Sequence, residues 1–288
     1  MKPQPCRKIG LVLLALLLIL VLLAGPVAAG PVSPGPDGRR PIVVQGAMTI
    51  EVAKLAGLLE NANEKTFGPY TFWQGTIDDY PVIVSKTLIG TANAAAATLL
   101  AIEKFRPLAI VNQGTAGGHD LALKVYDIVI GQKIINGGAI QSGRKALGQG
   151  SNPFEWRLVD WERFGDSDAD PRPHRPSVFT SDAALAATAG SVAASYAKGK
   201  VVAGTIVSSD FWNRELDRIK WFHDTFGTAA EEMETAAAAQ ISSQYNVPFL
   251  SLRIISNNAM SGSEFVAATG DAGQDFTYQV VKAYIAAL

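Results

Sequence analysis

Ala229-Ala-Glu-Glu-Met-Glu-Thr-Ala-Ala-Ala-Ala-Gln240 sets three carboxylates, Glu231, Glu232 and Glu234, against a run of small residues. The run holds no Gly or Pro and predicts a helix. Its acids would then sit at the helix start, where carboxylates suit the positive end of the dipole. Taken alone, the cluster reads as a solvated acidic helix end. Carboxylates beside small residues can also approach a polyol such as a sugar. Met233 is flanked by acids and so does not belong to a simple apolar stripe.

Outward from this stretch, strand-like and helix-like segments alternate. Upstream, Ile42-Val43-Val44 is a short apolar strand running into Gln45-Gly46-Ala47-Met48, and residues 49–59 carry Ile50, Val52, Leu55, Leu58 and Leu59 at helical spacing. Residues 71–74 and 80–87 predict a hairpin joined at Asp78-Asp79. Residues 90–105 predict an Ala-rich helix, 108–112 a buried strand ending in Gly114-Thr-Ala-Gly-Gly118, and 128–135 another strand. A helix over 181–197, a strand over 200–207 and a helix over 215–222 follow. Downstream lie a strand over 248–255, then Ser256-Asn257-Asn258, then a final helix over 275–287. This alternation predicts an α/β fold, a three-layer α/β/α sandwich around a central mixed sheet. Residues 137–176, Gly-rich and then rich in Trp and charge, read as a lid-like insertion.

The chain has 288 residues, 48% of them hydrophobic, which suits one large α/β domain over residues 42–288. Lys and Arg number 25 against 26 Asp and Glu, so no basic stripe argues for nucleic acid as a partner. The single cysteine, Cys6, excludes a disulfide framework and a Cys-based metal site. His119, His174 and His223 lack metal-ligand spacing and read as satisfied or exposed; no metal or cofactor is expected. Neither a G-x-S-x-G elbow nor a GxxxxGK[ST] loop occurs, which disfavours a serine hydrolase and a nucleotide triphosphatase. At the N-terminus, Lys2, Arg7 and Lys8 precede a Leu-rich run, broken at Gly25-Pro26 and followed by Val27-Ala28-Ala29. Residues 1–29 therefore read as a signal peptide that touches the membrane only during export, with an uncleaved anchor as the alternative. Residues 30–41, rich in Gly and Pro, read as a linker.

Ligands of open α/β sheets bind beyond the carboxyl ends of the strands. Four strand ends here are polar or Gly-rich, at Gln45, Asn112, Ser208 and Ser256, and their convergence would build one pocket. The turn at Gly114 can aim N–H groups at a phosphate or a water, or can simply be tight. Phe211-Trp212 could stack a flat base or join the core. Arg253, inside an apolar strand, needs a carboxylate, for which Glu51 or an acid of the opening stretch is available.

Three motifs, Gly46-Ala-Met-Thr-Ile-Glu51-Val, Asn112-Gln-Gly-Thr-Ala-Gly-Gly118, and Glu232-Met-Glu234 followed by Arg253-Ile-Ile-Ser256, resemble the nucleoside phosphorylase family. They are most similar to its hydrolytic branch, the methylthioadenosine/S-adenosylhomocysteine nucleosidases. The resemblance implies cleavage of a nucleoside N-glycosidic bond. It makes Glu51 the carboxylate that activates water, framed by Thr115 and Arg253. It gives Met233 and Glu234 to the ribose, Trp212 to stacking on the purine, and Ala116, Gly117, Glu232 and Ser256 to substrate binding. Asn257 stands where those nucleosidases carry the Asp that protonates the leaving base, and some phosphorylases of 6-oxopurines use an Asn comparably. This leaves a 6-oxopurine substrate, compensation by Asn258 or another group, or a nucleoside-binding or storage protein. No arginine accompanies the Gly46 or Gly114 turns, which favours water over phosphate as nucleophile; a phosphate-dependent phosphorylase is the alternative. A homo-oligomer, with a neighbouring copy closing the site, is also implied.

Overall fold

Ile42–Gly46 is buried at every position, as a strand covered on both faces must be. The computed structural model describes residues 38–150, 152–160 and 177–288, all within one unit spanning Pro34–Leu288. The signal-peptide reading, most of the linker, His174 and the second half of the lid-like insertion lie outside the described residues.

In chain order, β1 (Ile42–Gly46), α1 (Thr49–Gly57), β2 (Glu60–Phe67), β3 (Tyr70–Ile77), β4 (Tyr80–Lys86) and α2 (Thr91–Phe105) form the first half. There follow β5 (Ala109–Gly118), β6 (Ile128–Asn136), β7 (Ile140–Gln141), β8 (Arg157–Leu158), β9 (Val178–Thr180) and α3 (Ala183–Ser191). The last third holds β10 (Val201–Ser208), α4 (Leu216–Phe226), β11 (Thr228–Glu232), α5 (Thr235–Gln244), β12 (Phe249–Asn257) and α6 (Thr269–Ala286). One mixed sheet runs β11-β10-β6-β12-β5-β1-β4-β3-β2, with β9 added against β6. Alternate residues of β1 serve opposite faces. Ile42 and Val44 pack with Val52 and Leu55 of α1, Leu185 of α3 and Phe276 of α6. Val43 packs with Ala101 of α2 and Ala238 of α5. The expected three-layer α/β/α sandwich is therefore the fold.

One further pairing shapes the functional end. The tip of β11 runs antiparallel to β5, with Ala230 opposite Gly118 and Glu231 opposite Gly117. Strands β5, β12, β6, β10 and β11 thus close on themselves, and the acids of β11 lie at the mouth of that ring.

The opening stretch departs from its helical expectation: residues 228–232 are strand, and helix starts only at Thr235. Ala propensity is a weak preference. Here β10 on one side and β5 on the other both pair with this segment. A strand also sends Glu231 and Glu232 to opposite faces, and each finds its own buried partners. An unexpected strand, β2, is exposed along nearly its whole length; Glu and Lys suit a sheet edge but give no apolar alternation to read. The hairpin turn at Asp78-Asp79 is as expected, with both residues at positive φ, 49° and 60°. The final helix starts six residues earlier than expected, at Thr269. Within the lid-like insertion, β7 and β8 pair antiparallel, and no described residue of 137–160 lines the cavity that holds Glu51.

Candidate active site

The ends of β1, β5, β10, β11 and β12 converge on a cavity of about 220 Å³. Glu51, in the first turn of α1, projects into it with its carboxylate held by four donors. Oε2 accepts from the N–H groups of Ala47 at 2.9 Å and Met48 at 3.0 Å. Oε1 accepts from the N–H and the hydroxyl of Thr115, both at 2.8 Å. Two buried glutamines fix the helix beneath it: Gln113 donates to the Glu51 carbonyl, and Gln274 of α6 donates to Ile50 O at 2.8 Å and accepts from Leu55 N–H at 2.9 Å. Gly114 has no Cβ because a methyl there would lie 2.9 Å from Glu51 Oε1.

Glu232 and Arg253 form a buried ion pair, with Nη2 2.6 Å and Nε 3.1 Å from Oε2. Glu232 also accepts from Ser208 Oγ and from the N–H groups of Glu234 at 3.0 Å and Thr235 at 2.9 Å. It therefore satisfies the start of α5, where free N–H groups need an acceptor. Burial raises its pKa, but Arg253 and the hydroxyl and amide donors outweigh that and hold it below the ordinary carboxylate range. Beyond this anchor, Met233 and Glu234 face the cavity. Glu234 Oε1 accepts from Gly90 N–H at 2.9 Å. Burial, reinforced by the Glu232 charge, pushes the Glu234 carboxyl up to about 8.

At the opposite end, Ser256 Oγ reaches both Ala116 O and Asn257 Oδ1 at 3.1 Å. That contact fixes the Asn257 amide, whose Nδ2 has no hydrogen-bond partner among the described residues. Trp212 is 64% exposed at the mouth and meets Phe265 edge-on at 6.3 Å between ring centres, so it does not join the core.

Most of the residues expected from sequence come together: Glu51, Thr115, Ala116, Gly117, Trp212, Glu232, Met233, Glu234, Ser256 and Asn257 all line the cavity. Arg253 is the correction. It does not line the cavity and does not frame Glu51; its guanidinium is spent on Glu232, on Asn112 Oδ1 and on Leu252 O. A strand-borne arginine takes the nearest buried carboxylate, and β11 brings Glu232 there. Asn258 cannot compensate for Asn257, because its amide is fully buried and donates to Asp120 O and Leu123 O. Among the wall residues not assigned to the site from sequence, two are ionisable, Glu231 and His119. Glu231 accepts from Ser209 Oγ, Asn213 Nδ2 and His119 Nε2 at 2.9, 2.9 and 3.0 Å. His119 is satisfied as expected, with Nδ1 2.8 Å from Thr228 Oγ1, yet it too lines the cavity. Only the β11–β5 pairing brings these two residues together, and no local pattern announces it.

The fold and this constellation have known counterparts. Residues 41–286 match the phosphorylase superfamily, and the chain belongs to that superfamily. It is 34% identical over 243 residues to the 5'-methylthioadenosine/S-adenosylhomocysteine nucleosidase of Shewanella piezotolerans, which covers 84% of this chain and 93% of that one. The nucleosidase of the same name from Bacillus licheniformis is 33% identical over 77% of this chain and 88% of its own. Among solved structures, the Neisseria meningitidis nucleosidase in complex with methylthio-immucillin-A superposes with a TM-score of 0.68 at 27% identity, covering 85% of this chain and 99% of that one. A futalosine hydrolase of Helicobacter pylori, at 22% identity, shares the fold. The protein is thus an enzyme of the N-glycosyl hydrolase class.

Two outcomes follow from the anchor and its neighbour. Arg253→Met leaves Glu232 buried without a counter-charge and lowers unfolding free energy by about 3–5 kcal/mol in urea melts. Glu234 keeps its proton in the fold up to about pH 8, well above the ordinary value of 4.5. Between those limits the unfolded chain has already lost that proton, so stability falls as pH rises, by up to about 1.4 kcal/mol per unit. Thermal unfolding of Glu234→Gln should lack this slope.

Proposed function

We propose that the chain hydrolyses the N-glycosidic bond of a purine nucleoside, with preference for a 6-oxopurine, and acts after export. The wall composition carries the hydrolytic reading. Four carboxyl groups, Glu51, Glu231, Glu232 and Glu234, line the cavity, and no Lys or Arg is among the lining residues. A phosphate nucleophile needs cations to enter; a water does not.

In this reading the base leaves with the bonding electron pair, and positive charge builds on the sugar. Glu234 and Met233 hold the ribose; positive charge developing beside Glu234 lowers its pKa, so its proton passes to solvent and the carboxylate stands next to that charge. Glu51 takes the proton of the attacking water. Its four acceptor positions are filled in the free protein, but the Thr115 hydroxyl can rotate and yield one. Trp212 covers the face of the base. Asn257 has no acidic proton to give. Its unpartnered Nδ2 instead donates a hydrogen bond to the departing base, which suits a 6-oxopurine, since O6 and N7 are acceptors and share the developing negative charge. Export rests on the signal-like leader, and a homo-oligomer on the family resemblance.

Incubation of the mature protein with inosine, adenosine and methylthioadenosine, with base release followed by chromatography, tests the reading. Release is expected from at least one substrate, fastest from inosine. Glu51→Gln should reduce it by about 10²–10⁴-fold while folding is retained. A folded wild-type protein that releases no base from any of the three is a binding or storage protein instead.

A further inference from the structure

Helix α2 starts without a cap of its own. Gly90 precedes it with no side chain to offer, and no acid stands in its first turn. The free N–H groups of such an end need acceptors. Two carboxyl groups reach them from elsewhere in the chain. Asp210 Oδ1 accepts from Thr91 N–H at 2.7 Å and Oδ2 from Thr91 Oγ1 at 2.5 Å, across 119 residues. Glu234 Oε1 accepts from Gly90 N–H at 2.9 Å. Gly90 has a φ of 102°, and a Cβ there would lie 3.0 Å from Asp210 Oδ1, so glycine is what lets the carboxylate come this close.

Asp210 stands two residues ahead of Trp212, in the loop between β10 and α4. The ends of that loop rest on β11. Ser209 N–H donates to Glu232 O at 3.0 Å, Ser209 Oγ to Glu231 Oε1 at 2.9 Å, and Asn213 Nδ2 to Glu231 Oε2 at 2.9 Å. Between them, Asp210 supplies the hydrogen bonds from this loop to α2. Trp212 itself is 64% exposed, so close packing does not hold it and its place follows from the loop. Trp212 and Glu234 line the cavity that holds Glu51, whereas Asp210 and Thr91 do not. Consecutive residues at the start of α2 therefore hold the acid assigned to the sugar and the loop that carries the aromatic assigned to the base.

We propose that Asp210 is a positioning residue: by fastening its loop to the start of α2, it holds Trp212 over the base while Glu234 holds the sugar. The inference rests on the purine-nucleoside reading above and names what fixes the stacking residue of that site. A loop ordered before the ligand arrives spares the ordering cost on binding. Base and sugar are joined by one bond, so the groups that grip them need a common reference, and the start of α2 supplies it.

Calorimetric binding tests this without turnover. The probes are the free purine that wild type binds more tightly, hypoxanthine or adenine, and a base-free iminoribitol that takes the sugar end alone. Asp210→Ala is expected to weaken the purine about 10-fold, the scale of one lost stacking contact, and the iminoribitol less than about 2-fold. Asp210→Asn is expected to bind both as wild type does, because its amide oxygen still accepts from Thr91 N–H and its NH2 donates to Thr91 Oγ1. Trp212→Ala should weaken the purine by a similar factor, and adding Asp210→Ala to it should cost nothing more. A plain helix cap predicts a lower melting temperature with purine binding unchanged. That result, equal weakening of both probes, or additive losses in the double variant overturns the proposal. Should Asp210→Ala not fold, Thr91→Val, which keeps the N–H and removes the hydroxyl bond, decides by the same selective loss. A wild-type protein that binds neither purine refutes the nucleoside reading and this inference with it. One that binds a purine with no dependence on Asp210 refutes this inference alone.

Discussion

The ion pair between Arg253 and Glu232 is the constraint on which the site depends. Both side chains are almost wholly buried, so each charge is tolerable only because the other is there. The pair joins β12 to β11, and its further bonds reach β5 through Asn112, β10 through Ser208 and α5 through Thr235. Four strands and a helix are thereby referenced to one point. The two residues after Glu232 turn into the cavity because its carboxylate has already bound the N–H groups that begin α5.

Around that point the protein gathers carboxyl groups. Glu234 responds to burial and to Glu232 with a pKa near 8, which marks a place where positive charge would be welcome. A sugar that becomes cationic as its base departs supplies that charge transiently, so the stabilisation grows toward the transition state and is small in the ground state. Glu51 is arranged differently. Backbone N–H groups and Thr115 fix its carboxylate, and glutamines from β5 and α6 fix its helix. Rigid placement of this kind suits a group that must meet one water in one orientation.

Much of this was legible in the sequence, for physical reasons. Strands buried on both faces, such as Ile42–Gly46, open on an unbroken apolar run, Ile42-Val43-Val44, and stand out. Glycine at position 114 and the acids at positions 51, 232 and 234 occur in short motifs whose chemistry is local. What could not be read depends on contacts between distant strands. The Ala-rich opening stretch has helical propensity along its length, yet its first residues pair as β11 because β10 and β5 are there to receive them. Arg253 had Glu51 and the three acids of the opening stretch to choose from, and only the register of β11 decides for Glu232. Glu231 and His119, 112 residues apart, meet through the same closure. The edge strand β2 was hidden because exposed polar residues carry no periodic signal.

The central claim is that water, not phosphate, meets the sugar beside Glu51. Phosphorus NMR of a reaction run in the presence of inorganic phosphate tests it most directly. The account predicts that base accumulates while inorganic phosphate remains the only phosphorus signal. A sugar 1-phosphate resonance growing in step with the released base would contradict it.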